Sequence, residues 1–267
     1  MHKNVKSADL QGSFYPSGKD ELDNMLEYLL EDTADKTEPD ITSPKGVIVP
    51  HAGYVYSGSC AASAYNVLKP YAKEYDVIYL FGPAHRKYFN GLRSITEEYY
   101  STPLGDVKIA RDEINDLERE DLLQLDDDLF EGEHSIEVQL PFIYKIFGNH
   151  IKVVPVLFGD TSPKDIIPVL YKMNERGRGL FIISSDLSHF LPLSEEQQTD
   201  KETINNIEHL NSALISHEDP CGAMALNATI EYSKLEELKI KNIDFQNSAE
   251  ISGDEDRVVG YASFVIY

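Results

Sequence analysis

The chain has 267 residues, 42% of them hydrophobic and 26% charged, the balance of a globular protein long enough to bury a full core. Its 46 acidic and 24 basic side chains give a net charge of −22, a surface that repels phosphate backbones and anionic lipid headgroups and so argues against nucleic-acid and membrane partners. The apolar runs are strand-length, short of the ~20 residues of a membrane-spanning helix. The polar start Met1 to Val5 lacks the apolar core of a secretory signal. These features predict a cytoplasmic protein in which Cys60 and Cys221 form no disulfide.

Leu22, Met25, Leu26, Leu29 and Leu30 carry the i, i+3, i+4, i+7 stripe of an amphipathic helix, and the acidic stretch from Glu31 to Pro44 reads as a surface loop. The run Val47-Ile48-Val49 predicts a buried strand that breaks at Pro50 and delivers His51. A helix is expected from near Ser57-Gly58 to Pro70. A second strand from Val77 breaks at Gly82-Pro83 and delivers His85, and Thr102 to Asp106 turns between two short strands as an added hairpin. Segments 112–125 and 136–147 are predicted as helices, and Ile151 to Phe158 as a strand. Ser162-Pro163 is a cap that opens a helix to Asn174.

The run from Gly179 to Ser184 is another strand, followed by Asp186 and His189. A polar helix is expected from about Ser194 to Ile215. Asp219-Pro220 repeats the cap-then-proline start, placing Cys221 in the first turn of a helix running towards Tyr232. Strands near 238–245 and 257–267 close the chain. With no internal repeat or low-complexity linker, the expectation is one α/β domain over residues 1–267, a mixed, mainly parallel sheet sandwiched by helices.

In such sheets ligands collect at the carboxyl ends of the strands. His51 and His85 each follow a strand and a proline, where a rigid turn could hold a metal ligand; backbone-bonded loop histidines fit the pattern equally. Cys221 at a helix start favours thiolate, as nucleophile or metal ligand, against the fate of a small buried hydrophobe. Cys60, among Ala61, Ala62 and Ala64, is assigned to packing. Asp186 could orient His189 as an acid or base, or cap a turn with Ser188 and His189 at the surface. His134 and Glu137 share a helix face as pocket wall or capping cluster. His2, His150, His209 and His217 stand in polar contexts and are expected to be solvated. No glycine-rich phosphate loop is present.

The segments Gly12-Ser-Phe-Tyr-Pro16, Pro50-His51-Ala-Gly-Tyr-Val-Tyr-Ser-Gly58, Gly82-Pro-Ala-His85, Ser101-Thr-Pro-Leu-Gly105, Glu133-His-Ser-Ile-Glu-Val-Gln-Leu-Pro141, Ser184-Ser-Asp-Leu-Ser-His189, Cys221-Gly222 and Val259-Gly-Tyr-Ala-Ser-Phe264 occur in order. Together they closely resemble the Memo family, which includes the proteins labelled AmmeMemoRadiSam system protein B. Memo proteins are similar in fold to the catalytic subunit of class III extradiol dioxygenases, whose iron is held by two histidines and a glutamate. The resemblance implies that His51 and His85 match the two histidines, that Cys221 stands where the glutamate would be, and that His189, with Asp186 beside it, matches the acid/base histidine. Tyr54, His134, Glu137 and Arg86 would line the pocket.

A thiolate in that position softens the site towards iron–thiolate, copper or zinc chemistry and puts ring cleavage in doubt. The resemblance therefore implies a metal-dependent oxidoreductase acting on a small-molecule or peptide substrate, alongside a radical-SAM partner. Two alternatives share the pocket: a zinc-dependent amide hydrolase, and a non-enzymatic adaptor binding phosphopeptides or proteins, for which Arg86 and Lys87 are the nearest cations in sequence.

Overall fold

The computed structural model describes residues 4–36, 40–175, 177–215 and 220–267. Its strands are β1 (Val5–Lys6), β2 (Gly46–Val49), β3 (Val77–Pro83), β4 (Leu92–Ser94), β5 (Tyr99–Tyr100), β6 (Val107–Ile109), β7 (Gln124–Leu125), β8 (Lys152–Phe158), β9 (Gly179–Ser184), β10 (His189–Leu191), β11 (Ile240–Asn247) and β12 (Val258–Ile266). Its helices are α1 (Lys19–Asp32), α2 (Tyr54–Leu68), α3 (Arg111–Arg119), α4 (His134–Glu137), α5 (Leu140–Phe147), α6 (Pro163–Glu175), α7 (Leu193–Glu208), α8 (Ala223–Leu235) and α9 (Ala249–Ser252).

The centre of the sheet is the parallel run β6-β8-β3-β9-β2, and antiparallel strands stand at its margins. Strands β3, β8 and β9 are almost continuously apolar and buried, as expected of parallel strands covered on both faces. Helix α2 packs along β2, β11 and β12, with α1 and α5 against it; α6 and α8 pack together, and α7 lies on β10, β11 and β12. Strand β12 pairs with β11 along its length, with β2 through Phe264–Ile266 and with β10 through Val258 and Val259.

The order of the central strands positions the site. From β3 the chain steps outward to β8, then returns to insert β9 between β3 and β2. Three neighbouring parallel strands thus end at one edge, and the residues just past them are His85 after β3, Asp186 after β9 and His51 after β2.

The mainly parallel α/β architecture agrees with the sequence, while several element bounds differ for local reasons. Helix α2 starts at Tyr54, not near Gly58, because the Gly53 carbonyl accepts the amides of Tyr56 and Ser57; Gly58 lies inside the helix against Leu29. The predicted 112–125 helix stops at Arg119, since Asp121 adopts a left-handed φ of 56° and Gln124–Leu125 joins β4 as a strand. The predicted 136–147 helix is two, α4 and α5, with Pro141 in the first turn of the second. The helix expected to reach Ile215 ends at Glu208, just before Leu210 turns left-handed at φ 59°. His2, His217 and the Asp219 cap lie outside the described residues.

Glu137 fastens the N-terminal segment to this frame. Its fully buried carboxylate accepts the amides of Asp9 (2.9 Å) and Leu10 (2.8 Å) and the hydroxyls of Tyr15 (2.7 Å) and Tyr100 (3.3 Å). Glu137→Ala orphans two amides at about 1–3 kcal/mol each, so urea denaturation should show a loss of about 3 kcal/mol. A loss below ~1 kcal/mol would contradict the assignment.

Candidate metal centre

His51, His85 and Cys221 each offer one donor atom, and these atoms lie within 4.8 Å of one another. The Cys221 sulfur is 3.2 Å from His51 Nε2. Two donors on one tetrahedral ion, at roughly 2.3 Å for sulfur and 2.0–2.1 Å for nitrogen, stand roughly 3.6 Å apart, so the spacing suits a shared ion with a small adjustment.

The far side of each ring fixes which nitrogen is free. His51 Nδ1 lies 3.0 Å from the Ser184 hydroxyl, which spends its own proton on the Ser135 carbonyl at 2.6 Å. Ser184 can therefore only accept from His51, which puts the ring proton on Nδ1 and a lone pair on Nε2, towards the sulfur. His85 Nδ1 donates to Glu133 Oε1 (2.9 Å) and its amide to Glu133 Oε2 (2.7 Å), which leaves its Nε2 free in the same way.

Electrostatics keep the His51 ring in its metal-ready form and set the charges around it. Burial, then the imidazoles of His85, His134 and His189, pull His51 well below the usual imidazole range, so its ring is neutral. Burial raises the Glu133 carboxyl, but the His85 ring and the amides of Ser135 and His85 outweigh it and hold the group at about 2. Burial pushes Asp186 up to about 6, against the pull of the His51 amide and the imidazoles of His189 and His85.

Cys221 corrects its sequence-based expectation. It precedes Gly222, the N-cap of α8, and so lies outside the first helical turn. Burial and then the Asp186 charge push its thiol above the ordinary range, despite a hydrogen bond from the Asp186 amide (3.3 Å) and the contact with the Ser185 hydroxyl. The position is set by packing: a Cβ on Gly222 would stand 2.5 Å from Ser185, and the Gly222 amide donates to the Ser185 hydroxyl at 3.0 Å.

The other sequence candidates separate into two groups. His134 joins the cluster, its ring 5.1 Å from His51 and 4.2 Å from His85, and burial and His85 lower it to about 4. His189, half-buried on β10, is near enough for its charge to act on His51, His134 and Asp186. Asp186 is bonded to His51, whose amide donates to Oδ1 at 2.7 Å, and its own amide serves Cys221. Tyr54 and Glu137 face elsewhere: the Tyr54 hydroxyl donates to the Val138 carbonyl, and Glu137 holds the N-terminal segment. Arg86 is exposed and lines a cavity of about 800 Å³ beside the site. Cys60 is fully buried on α2, and His150 and His209 are exposed.

Sequence reasoning passed over Glu133 and Ser184. Glu133 had a signal, a carboxylate adjacent to a histidine in the pocket region, which is how ligand histidines are commonly oriented. Ser184 had none, because its role exists only once β9 lies beside β2. A second cavity of about 200 Å³ reaches Cys221 itself, lined by Phe89, Phe158 and Met224 and by Lys87, Tyr88 and Asp160.

A family model for Memo-like proteins matches residues 6–265. The chain belongs to the Memo family. It is 32% identical to a MEMO1 family protein of Desulfurococcus amylolyticus across 98% of this chain and 99% of the relative, and 33% identical to one of Methanosarcina barkeri across 98% and 100%. A MEMO1 family protein of Aquifex aeolicus is 29% identical across 98% of each. This Memo-family chain therefore carries a His/His/Cys group able to bind a metal ion.

In metal-free protein the alkylation rate of Cys221 against pH should have its midpoint above the ordinary ~8.5, and Asp186→Asn should lower it. A wild-type midpoint at or below ~8.5 would show that Asp186 and burial do not govern the thiol.

Proposed function

We propose that the chain is a metal-dependent oxidoreductase whose ion is held by His51, His85 and Cys221. The observation that carries this is the convergence of three donor atoms whose two imidazoles are turned, by Ser184 and Glu133, to aim their lone pairs inward. An accidental cluster has no reason to carry such acceptors behind both rings. Two imidazoles and a thiolate suit iron or copper better than hard oxygen-seeking cations, and a bound redox metal would supply electron transfer and oxygen activation at the open positions.

The remaining roles belong to the chain's own residues. Asp186 fixes the His51 backbone and the Cys221 sulfur together. His189 moves a proton at the edge of the pocket and does not ligate, in line with the dioxygenase-like histidine of the resemblance. Substrate enters through the cavity of about 200 Å³ at Cys221, whose mixed walls, Phe89, Phe158 and Met224 beside Lys87, Tyr88 and Asp160, suit a small polar molecule. Arg86 faces the larger cavity, where it joins Lys6 and Lys87 against Asp9, Glu97, Asp127 and Glu131. Three cations against four carboxylates weigh against a phosphate-binding adaptor.

Metal content of protein purified without chelator tests the ligand set. His51→Ala, His85→Ala and Cys221→Ala should each lose the metal, Glu133→Ala should weaken binding by ~10–100-fold, and His189→Ala should keep it. Full retention in both His85→Ala and Cys221→Ala would remove the centre. Oxygen uptake by the loaded protein separates oxidation from hydrolysis.

A further inference from the structure

Behind β10 lies a second ionisable cluster that the metal centre does not use. Glu196 and Asp200, one turn apart on α7, are both fully buried, and each has one carboxylate oxygen without a partner, Glu196 Oε1 and Asp200 Oδ2. Their other oxygens are engaged: Asn247 Nδ2 donates to Glu196 Oε2 at 3.4 Å, and the Ser188 amide donates to Asp200 Oδ1 at 3.1 Å. Among the described residues no lysine or arginine forms an ion pair with either acid. Two buried carboxylates with no counter-ion are among the most expensive arrangements a protein can hold.

The geometry supplies a resolution. A Cβ built on Gly260 of β12 would stand 1.6 Å from Asp200 Oδ2 and 3.0 Å from Glu196 Oε1. The two orphan oxygens therefore both face the space in front of Gly260, which is too tight for a side chain. We propose that Glu196 and Asp200 share one proton there, and that the pair clamps α7 onto β12 and the Ser188–His189 segment, making both acids positioning residues for His189. The link to proton transfer rests on the role given to His189 above, whereas the shared proton does not.

The groups facing the pair agree with this. Burial and the Asp200 charge push the Glu196 carboxyl up to about 8, with Glu250 of α9 adding to the effect. Burial likewise raises Asp200, opposed by Ser188, by Glu196 and by the His189 imidazole. Position 260 must be glycine because any side chain would enter the space of the pair.

The sign of the pH effect follows. The folded pair keeps a proton that the unfolded carboxyls release near ~4.3, so its stabilisation is present at low pH and is lost as pH rises through about 8. Glu196→Gln and Asp200→Asn replace the shared proton with an amide hydrogen that does not titrate. In thermal denaturation of the full chain between about pH 6 and about pH 9, the wild-type Tm should fall by at least ~2 °C more than that of either variant. Hydrogen-exchange protection of residues 187–190 should drop with rising pH in the wild type and stay level in the variants, with metal content unchanged in all three.

Equal Tm slopes in all three proteins would overturn the shared proton. Different slopes with unchanged protection at 187–190 would overturn the positioning role. A wild-type Tm raised by calcium, with Glu196→Gln unresponsive, would put a cation in place of the proton. Should both variants fail to fold, infrared spectra of the wild type decide: a protonated-carboxyl band present near neutral pH and lost in alkali supports the pair, and its absence overturns it. Metal loss in His189→Ala would undo the role of His189 yet leave the slope comparison intact.

Discussion

The hydroxyl of Ser184 is the contact on which the site turns. Its proton goes to the Ser135 carbonyl, which leaves its lone pairs for Gln139 Nε2 and the Nδ1–H of His51, each at 3.0 Å. One atom thus ties the end of β9 to α4 and to the residue that follows β2. Glu133, the N-cap of α4, does the same for His85. A helix of four residues and its N-cap thereby set the orientation of both imidazoles.

That arrangement favours electron pairs over charges. His51 and His134 are held below the usual imidazole range by burial and then by the His85 ring, and Asp186 is raised by its own burial. The strongly ionised group, Glu133, sits behind the rings, where it faces N–H donors. The Cys221 thiol is pushed up in the absence of an ion, so a bound cation has a proton to displace there, the usual coupling between metal binding and proton release.

Much of this could be read from the sequence, for identifiable reasons. The apolar runs before His51, His85 and Asp186 are unbroken, and only doubly covered parallel strands need such runs, so the strand ends could be found. His51, His85 and Cys221 were each visible as residues at a strand or helix boundary, but their meeting depends on β9 inserting between β3 and β2, and spacing along the chain does not encode strand order. Helix ends set by left-handed residues such as Asp121 and Leu210 were missed because neither carries the usual glycine or asparagine signal. Tyr54 and Glu137 flank the motif histidines in sequence, yet the helical turn carries both side chains into the packing.

The way β2 is covered also governs how the chain can be made. Its two neighbours are β9, about 135 residues downstream, and the last residues of β12, Phe264–Ile266. As the ribosome extends the chain, Val47–Val49 emerges with both edges unpaired and stays so until β9 and then β12 have been made, a bare apolar strand of the kind that nascent-chain chaperones shield. His51 stands just past that strand, beyond Pro50, so the candidate site assembles only once the distant segments carrying Ser184 and Cys221 have been made. Nascent chains stalled before β12 should therefore be aggregation-prone.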